Sequence, residues 1–125
     1  MNSKQVALPE RLTSATGLLL EAVRVDPSDR KARRILVRHR ASYLEYTLHE
    51  LPAGVLYGHN AATIAECDEL VAELAEFREH VEILGETPRF AELIGDCTLH
   101  FHRYREYLAS GRAGGSYKQF LADRP

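Results

Sequence analysis

Between Asp29 and Leu51 the chain carries two apolar stripes at helical spacing, where a surface helix needs only one. On a wheel of ~100° per residue, Ile35, Leu36, His39, Tyr43, Tyr46 and Thr47 fall within an arc of about 120° and read as the core-facing stripe. Val37, Ala41, Leu44, Leu48 and Leu51 make a second apolar stripe. Lys31, Arg34, Arg38, Ser42, Glu45 and His49 make a polar one. A helix built this way is either wrapped on two sides by its own chain or keeps one face for another chain.

The rest of the sequence has to supply the neighbours. Leu8-Pro9-Glu10 is a helix start, with proline where its missing N–H costs nothing, and Leu12, Ala15, Leu19, Ala22 and Val23 give a stripe to about Val25. Asp26-Pro27 stops that helix and Ser28 is the expected N-cap of the next. Leu51-Pro52-Ala53-Gly54 ends the second helix, and Val55, Leu56 and Tyr57 are expected to pack over one end of the fold. Asn60 is the expected cap of a third helix whose stripe is Ile64, Cys67, Leu70, Leu74, Phe77, Val81 and Leu84, closed by Gly85. Thr87-Pro88 opens a fourth, with Phe90, Leu93, Ile94, Cys97, Phe101, Tyr104 and Leu108 inward.

Four helices of about residues 9–25, 29–51, 61–84 and 88–109, short connections and no strand signal predict an all-α, antiparallel up-down four-helix bundle. Residues 1–111 are read as one domain. Residues 112–125 are read as a flexible glycine-rich link and a short tail able to form one amphipathic turn through Tyr117, Phe120 and Leu121. At 125 residues the chain is long enough to bury a core without staples.

Composition excludes some functions. A net charge of -2 argues against strong general attraction to nucleic acid or anionic membrane. The start of the chain has no signal-peptide pattern, and Leu18-Leu19-Leu20 falls far short of the ~20 apolar residues that span a bilayer. Cys67 and Cys97 sit on apolar faces, too far apart along the expected hairpin for a disulfide. A cytoplasmic protein is expected. Lys4, Lys31 and Lys118 are the only lysines against many arginines, a composition that points to a GC-rich bacterial gene.

Glu21-Ala22-Val23-Arg24-Val25-Asp26-Pro27-Ser28-Asp29, followed by Ala32 and Ile35-Leu36, resembles the junction between consecutive tetratricopeptide repeats. The resemblance implies helix pairs stacked into a peptide-binding groove. About 34 residues further on, where such a repeat recurs, Asn60-Ala61-Ala62 stands in place of Asp-Pro.

Two groups of side chains carry the candidate chemistry, and a third point concerns known enzyme motifs. Arg30, Lys31, Arg33, Arg34, Arg38 and Arg40 form a basic run near the start of a helix, where the dipole disfavours cations. The third helix answers with Glu66, Asp68, Glu69, Glu73, Glu76, Glu79 and Glu82. Pairing with it, or with a partner protein, is favoured over nucleic acid because no aromatic residues interleave the basic run. Second, layer counting along the expected hairpins places His39, Glu69, Glu73 and His100 at one level, a set able to take a divalent metal. The competing reading of that layer is a hydrogen-bonded polar core. The helical pairs Glu45/His49, Glu76/His80 and His102/Glu106 read as solvated contacts. Third, no G-x-S-x-G, P-loop or dinucleotide fingerprint is present, which disfavours the enzymes built on them.

The expected function is therefore non-enzymatic protein–protein association, as a homodimer or with another protein. The expected surface is the second stripe of the Asp29–Leu51 helix: Val37, Ala41, Leu44, Leu48 and Leu51, bordered by Arg33 and Arg40. No cofactor is expected on that reading. A metal-carrying bundle and a nucleic-acid-associated regulator are the alternatives.

Overall fold

A computed structural model describes residues 15–51, 63–112 and 115–123. These form an all-α bundle of α1 (Ala15–Val25), α2 (Arg30–Glu50), α3 (Ile64–Leu84), α4 (Thr87–Ala109) and α5 (Tyr117–Ala122), and no strand occurs among the described residues. The expected start at Pro9, the Asn60 cap and the packing of Val55, Leu56 and Tyr57 lie outside them. No described helix is long and apolar enough to cross a membrane.

Local chemistry sets the ends of the helices. Asp26 accepts from the backbone N–H of Ser28 at 3.2 Å and from its hydroxyl at 2.7 Å. Ser28 is thereby occupied, so the cap of α2 falls to Asp29, whose carboxylate accepts from the Ala32 N–H at 3.0 Å. Thr63 and Glu66 start α3 with a reciprocal capping box. Gly85, at φ 73°, takes the left-handed turn that ends α3. Pro88 then fits the first turn of α4, where no N–H is needed.

The main core lies between α2, α3 and α4. Val37, Ala41 and Leu44 of α2 and its C-cap Leu51 belong to it with Leu70, Phe77 and Val81 of α3 and Cys97, Phe101 and Tyr104 of α4. A smaller cluster joins α1 to the other side of α2 through Val23, Ala32 and Leu36, with Leu19, Leu20 and Ala22 against them. The helix with two apolar stripes is thus wrapped on two sides by its own chain.

The segment read as a link and tail is part of this core. Ser116 caps α5, and its Tyr117 and Phe120 are fully buried. Tyr117 meets Tyr104 edge-to-face with ring centroids 4.9 Å apart, and Phe120 meets Tyr107 at 5.5 Å. The hydroxyl of Tyr107 donates to the Gly115 carbonyl, which ties down the approach to α5.

Candidate functional site

The stripe expected to receive a partner is not on the surface. Val37, Leu44 and Leu51 are each 1% exposed, Ala41 is buried, and Leu48 is half-buried against the same core. The physical reason is the direction of α3 and α4, which both approach α2 along this stripe. The stripe expected to face the core is split instead. Leu36 and Thr47 are buried and Ile35 and Tyr43 half-buried, while His39 and Tyr46 face solvent.

The four residues expected to share a metal layer do not converge. No group of three or more His, Cys, Asp or Glu side chains able to hold a metal occurs among the described residues, which include all four. His39 and Glu69 are exposed. Glu73 lies 3.6 Å from the Arg40 guanidinium, and His100 Nδ1 lies 3.1 Å from the Tyr117 hydroxyl. One residue along the helix, ~100° of rotation, puts Arg40 rather than His39 opposite Glu73. Burial raises the Glu73 carboxyl above its ordinary range, Arg40 opposes this, and neighbouring Glu69 and Glu76 add to it. Burial likewise pushes the thiols of Cys67 and Cys97 up, to about 11 and about 12, and both are free.

The basic run divides between inside and outside. Arg30 donates to the Leu84 carbonyl at 3.2 Å, a favourable contact at the C-terminal end of α3. Arg40 lies 3.5 Å from Glu76 as well as near Glu73. Lys31, Arg34 and Arg38 are exposed on the outward arc of α2.

Arg33, expected at the border of a docking face, is only 5% exposed. Its Nη1 lies 2.7 Å from His80 Nδ1 and its Nη2 donates to the Pro27 carbonyl at 2.9 Å, while Nε has no partner. A guanidinium can only donate, so His80 is neutral here, accepting at Nδ1 and carrying its proton on Nε2. Burial first, and the Arg33 charge second, lower the His80 pKa; Glu76 and Glu79 pull it the other way. One cation thus ties the α1–α2 turn to α3. The sequence paired His80 with Glu76, its helical neighbour, because a partner 47 positions away has no local signal.

Beside this junction a cleft of about 350 Å³ runs between α1 and α3. Gly17, Leu20 and Val23 of α1 supply its apolar part; Glu21 and Arg24 of α1 and Glu76, Glu79 and His80 of α3 supply the polar part. Glu21 and Arg24 are bonded to each other, which lowers the Glu21 carboxyl pKa.

Away from the cleft, α1 exposes an apolar face of its own. Leu18 is 60% exposed and Val25 70%, and their spacing of seven residues puts them on one side of the helix with half-buried Ala22 between. The signal was present in the sequence. Leu18, Leu19 and Leu20 are consecutive, sweep ~200° of a helix, and cannot all enter one core. No family of known proteins matches this chain, and neither do curated proteins or solved structures.

Proposed function

We propose that the protein acts by binding another polypeptide, and that the outward face of α1 is where it binds. The observation that carries this reading is the pair Leu18 and Val25, exposed on one side of a helix whose inner side packs on α2. An apolar stripe of one helix width is the surface that another helix covers. The reactive side chains support binding over catalysis. The Arg33 guanidinium is against the His80 imidazole, and both cysteine thiols are buried with raised pKa values.

A photo-cross-linking amino acid placed at Leu18, and separately at exposed Lys118 on α5, tests the reading in cells that express the gene. The expected result is an adduct with a discrete polypeptide from position 18, absent from position 118 and lost when Val25→Asp is added. An identical pattern from both positions, or one indifferent to Val25→Asp, removes α1 as the docking face.

A further inference from the structure

We infer that Arg33 and His80 form an acid-sensitive latch: protonation of the imidazole breaks their contact and frees α1 with its turn, while the α2–α3–α4 core stays folded. The latch concerns how α1 is held and does not depend on what docks there.

The latch is built on a cation with few alternatives. Arg33 is buried and donates from Nη1 to His80 Nδ1 at 2.7 Å and from Nη2 to the Pro27 carbonyl at 2.9 Å, with Nε unpartnered. A guanidinium has no lone pair, so the first contact needs the free pair on Nδ1. Protonation puts a hydrogen on that nitrogen. Two charged donors then face each other with no acceptor between them. Arg33 is left buried with Nη1 newly unsatisfied beside an Nε that already was, and a buried charge without its partners is strongly destabilising.

The groups around His80 decide where its new charge settles. Arg33 and Arg40 of α2 oppose the charge, and Glu76 and Glu79 of α3 favour it. From across the cleft α1 presents Glu21 and Arg24, which are bonded to each other and add no net charge. The imidazolium therefore turns toward the carboxylates of its own helix, Glu76 lying four residues back on the same face. That move stays within α3 and takes the acceptor away from Arg33.

Anchoring decides what gives way. The start of α2 remains tied to the end of α3, because Arg30 donates to the Leu84 carbonyl at 3.2 Å, a contact with no group that titrates in acid. The main core joins α2, α3 and α4, and no described residue of α1 belongs to it. α1 has 11 residues and is held through a small cluster in which Val23 meets Ala32 and Leu36 of α2, with Leu19, Leu20 and Ala22 partly buried against them. A short helix on a satellite cluster opens at a lower free energy than the whole domain. Arg33 regains water by displacing the turn whose Pro27 carbonyl it holds, and α1 leaves with that turn.

Hydrogen-exchange mass spectrometry of the full chain, from about pH 7.5 to about pH 4.5 and corrected for the intrinsic pH dependence of exchange, tests the latch. Protection of the Leu19–Val25 amides should fall about tenfold or more across that window, the scale of one charge-assisted hydrogen bond, while protection of Leu70–Leu84 changes less than about threefold. In His80→Gln the amide oxygen still accepts from Arg33 and does not titrate, so α1 should keep its neutral-pH protection in acid. That variant has the same carboxylates as wild type, so their protonation cancels in the comparison. In the wild type, the His80 imidazole followed by NMR should titrate with the same midpoint as the loss of α1 protection. The latch is overturned by α1 protection that is flat with pH, by an equal loss in His80→Gln, or by a loss that α3 shares equally. Midpoints for the imidazole and for α1 that differ by more than about one pH unit overturn it as well, and this wild-type comparison decides alone if His80→Gln does not fold.

Discussion

Replacing Phe120 by alanine measures whether the last helix belongs to the fold. Phe120 is 1% exposed and packs edge-to-face on Tyr107 with centroids 5.5 Å apart. A buried Phe→Ala change costs about 3–5 kcal/mol, of which the aromatic pair accounts for about 0.5–1.5. The helix has only six residues and two buried anchors, Tyr117 and Phe120, so it has another response available. It can undock, which caps the loss at its own docking free energy but strips cover from Tyr104 and Tyr107. Either route removes more than ~2 kcal/mol and lowers the midpoint by roughly 8 °C or more in a chain of this size. Urea and thermal unfolding followed by far-UV circular dichroism supply the number. Near-UV dichroism of the tyrosines reports the aromatic cluster without interference, because the chain has no tryptophan. Lys118→Ala, exposed on the same helix, is the control and should stay within about 0.5 kcal/mol. A Phe120→Ala cost no larger than that control refutes the argument, and α5 is then an appendage.

Further tests address the junction and the core. Leu44→Glu should prevent cooperative folding, because it puts a charge into the α2–α3–α4 core, whereas Leu18→Glu should leave the thermal midpoint nearly unchanged. His80 has a folded-state pKa below its ordinary 6.5, so its contribution is full above that value and is lost as pH falls toward the depressed one. Glu73 has the opposite sign: raised above its ordinary 4.5, it favours the fold at low pH and loses that contribution as pH rises through the raised value. The stability difference between wild type and His80→Gln, whose amide oxygen still accepts from Arg33, should therefore shrink as pH falls below 6.5; a difference flat across that window refutes the assignment. Both cysteines should resist a thiol-specific disulfide reagent in the native state at mildly alkaline pH and react only on unfolding, since burial holds their thiols at about 11 and about 12. Rapid native labelling of either would show the core to be open.

What the sequence revealed followed the range of the interactions. The turn from α3 to α4 was legible because Gly85 and Pro88 act within a few residues, although the N-cap of α4 is Glu86 and not Thr87, the cap that Thr87-Pro88 suggested. Even so, the cap of α2 moved from Ser28 to Asp29 once Asp26 competed for the serine. The apolar periodicity of α2 was also legible, but periodicity says that a face is buried and not by what. The stripe of Val37 and Leu44 and the stripe of Leu36 and Tyr43 had equal claims until α1, α3 and α4 had positions. The metal layer failed on the same uncertainty, since one residue of rotation separates His39 from Arg40. In the tail, glycines suggested a flexible link, while the spacing of Tyr117 and Phe120 already marked a buried face.

Exposed apolar residues are common, so the weight placed on α1 depends on how its residues are grouped. Leu99 on α4 is half exposed, but one turn away in either direction the helix offers Gly95, Asp96, His102 and Arg103. It is isolated. Leu18 has Ala22 and Val25 on the same line, and the consecutive leucines explain why that line faces outward. With Leu19 and Leu20 both packed against the α1–α2 cluster, the third leucine is left exposed, and a chain selected solely for its own fold would gain by a polar residue there. The same helix then repeats the exposure one heptad later at Val25. Packing accounts for one outward leucine; it does not account for a second apolar residue in register with it, and a bound helix accounts for both.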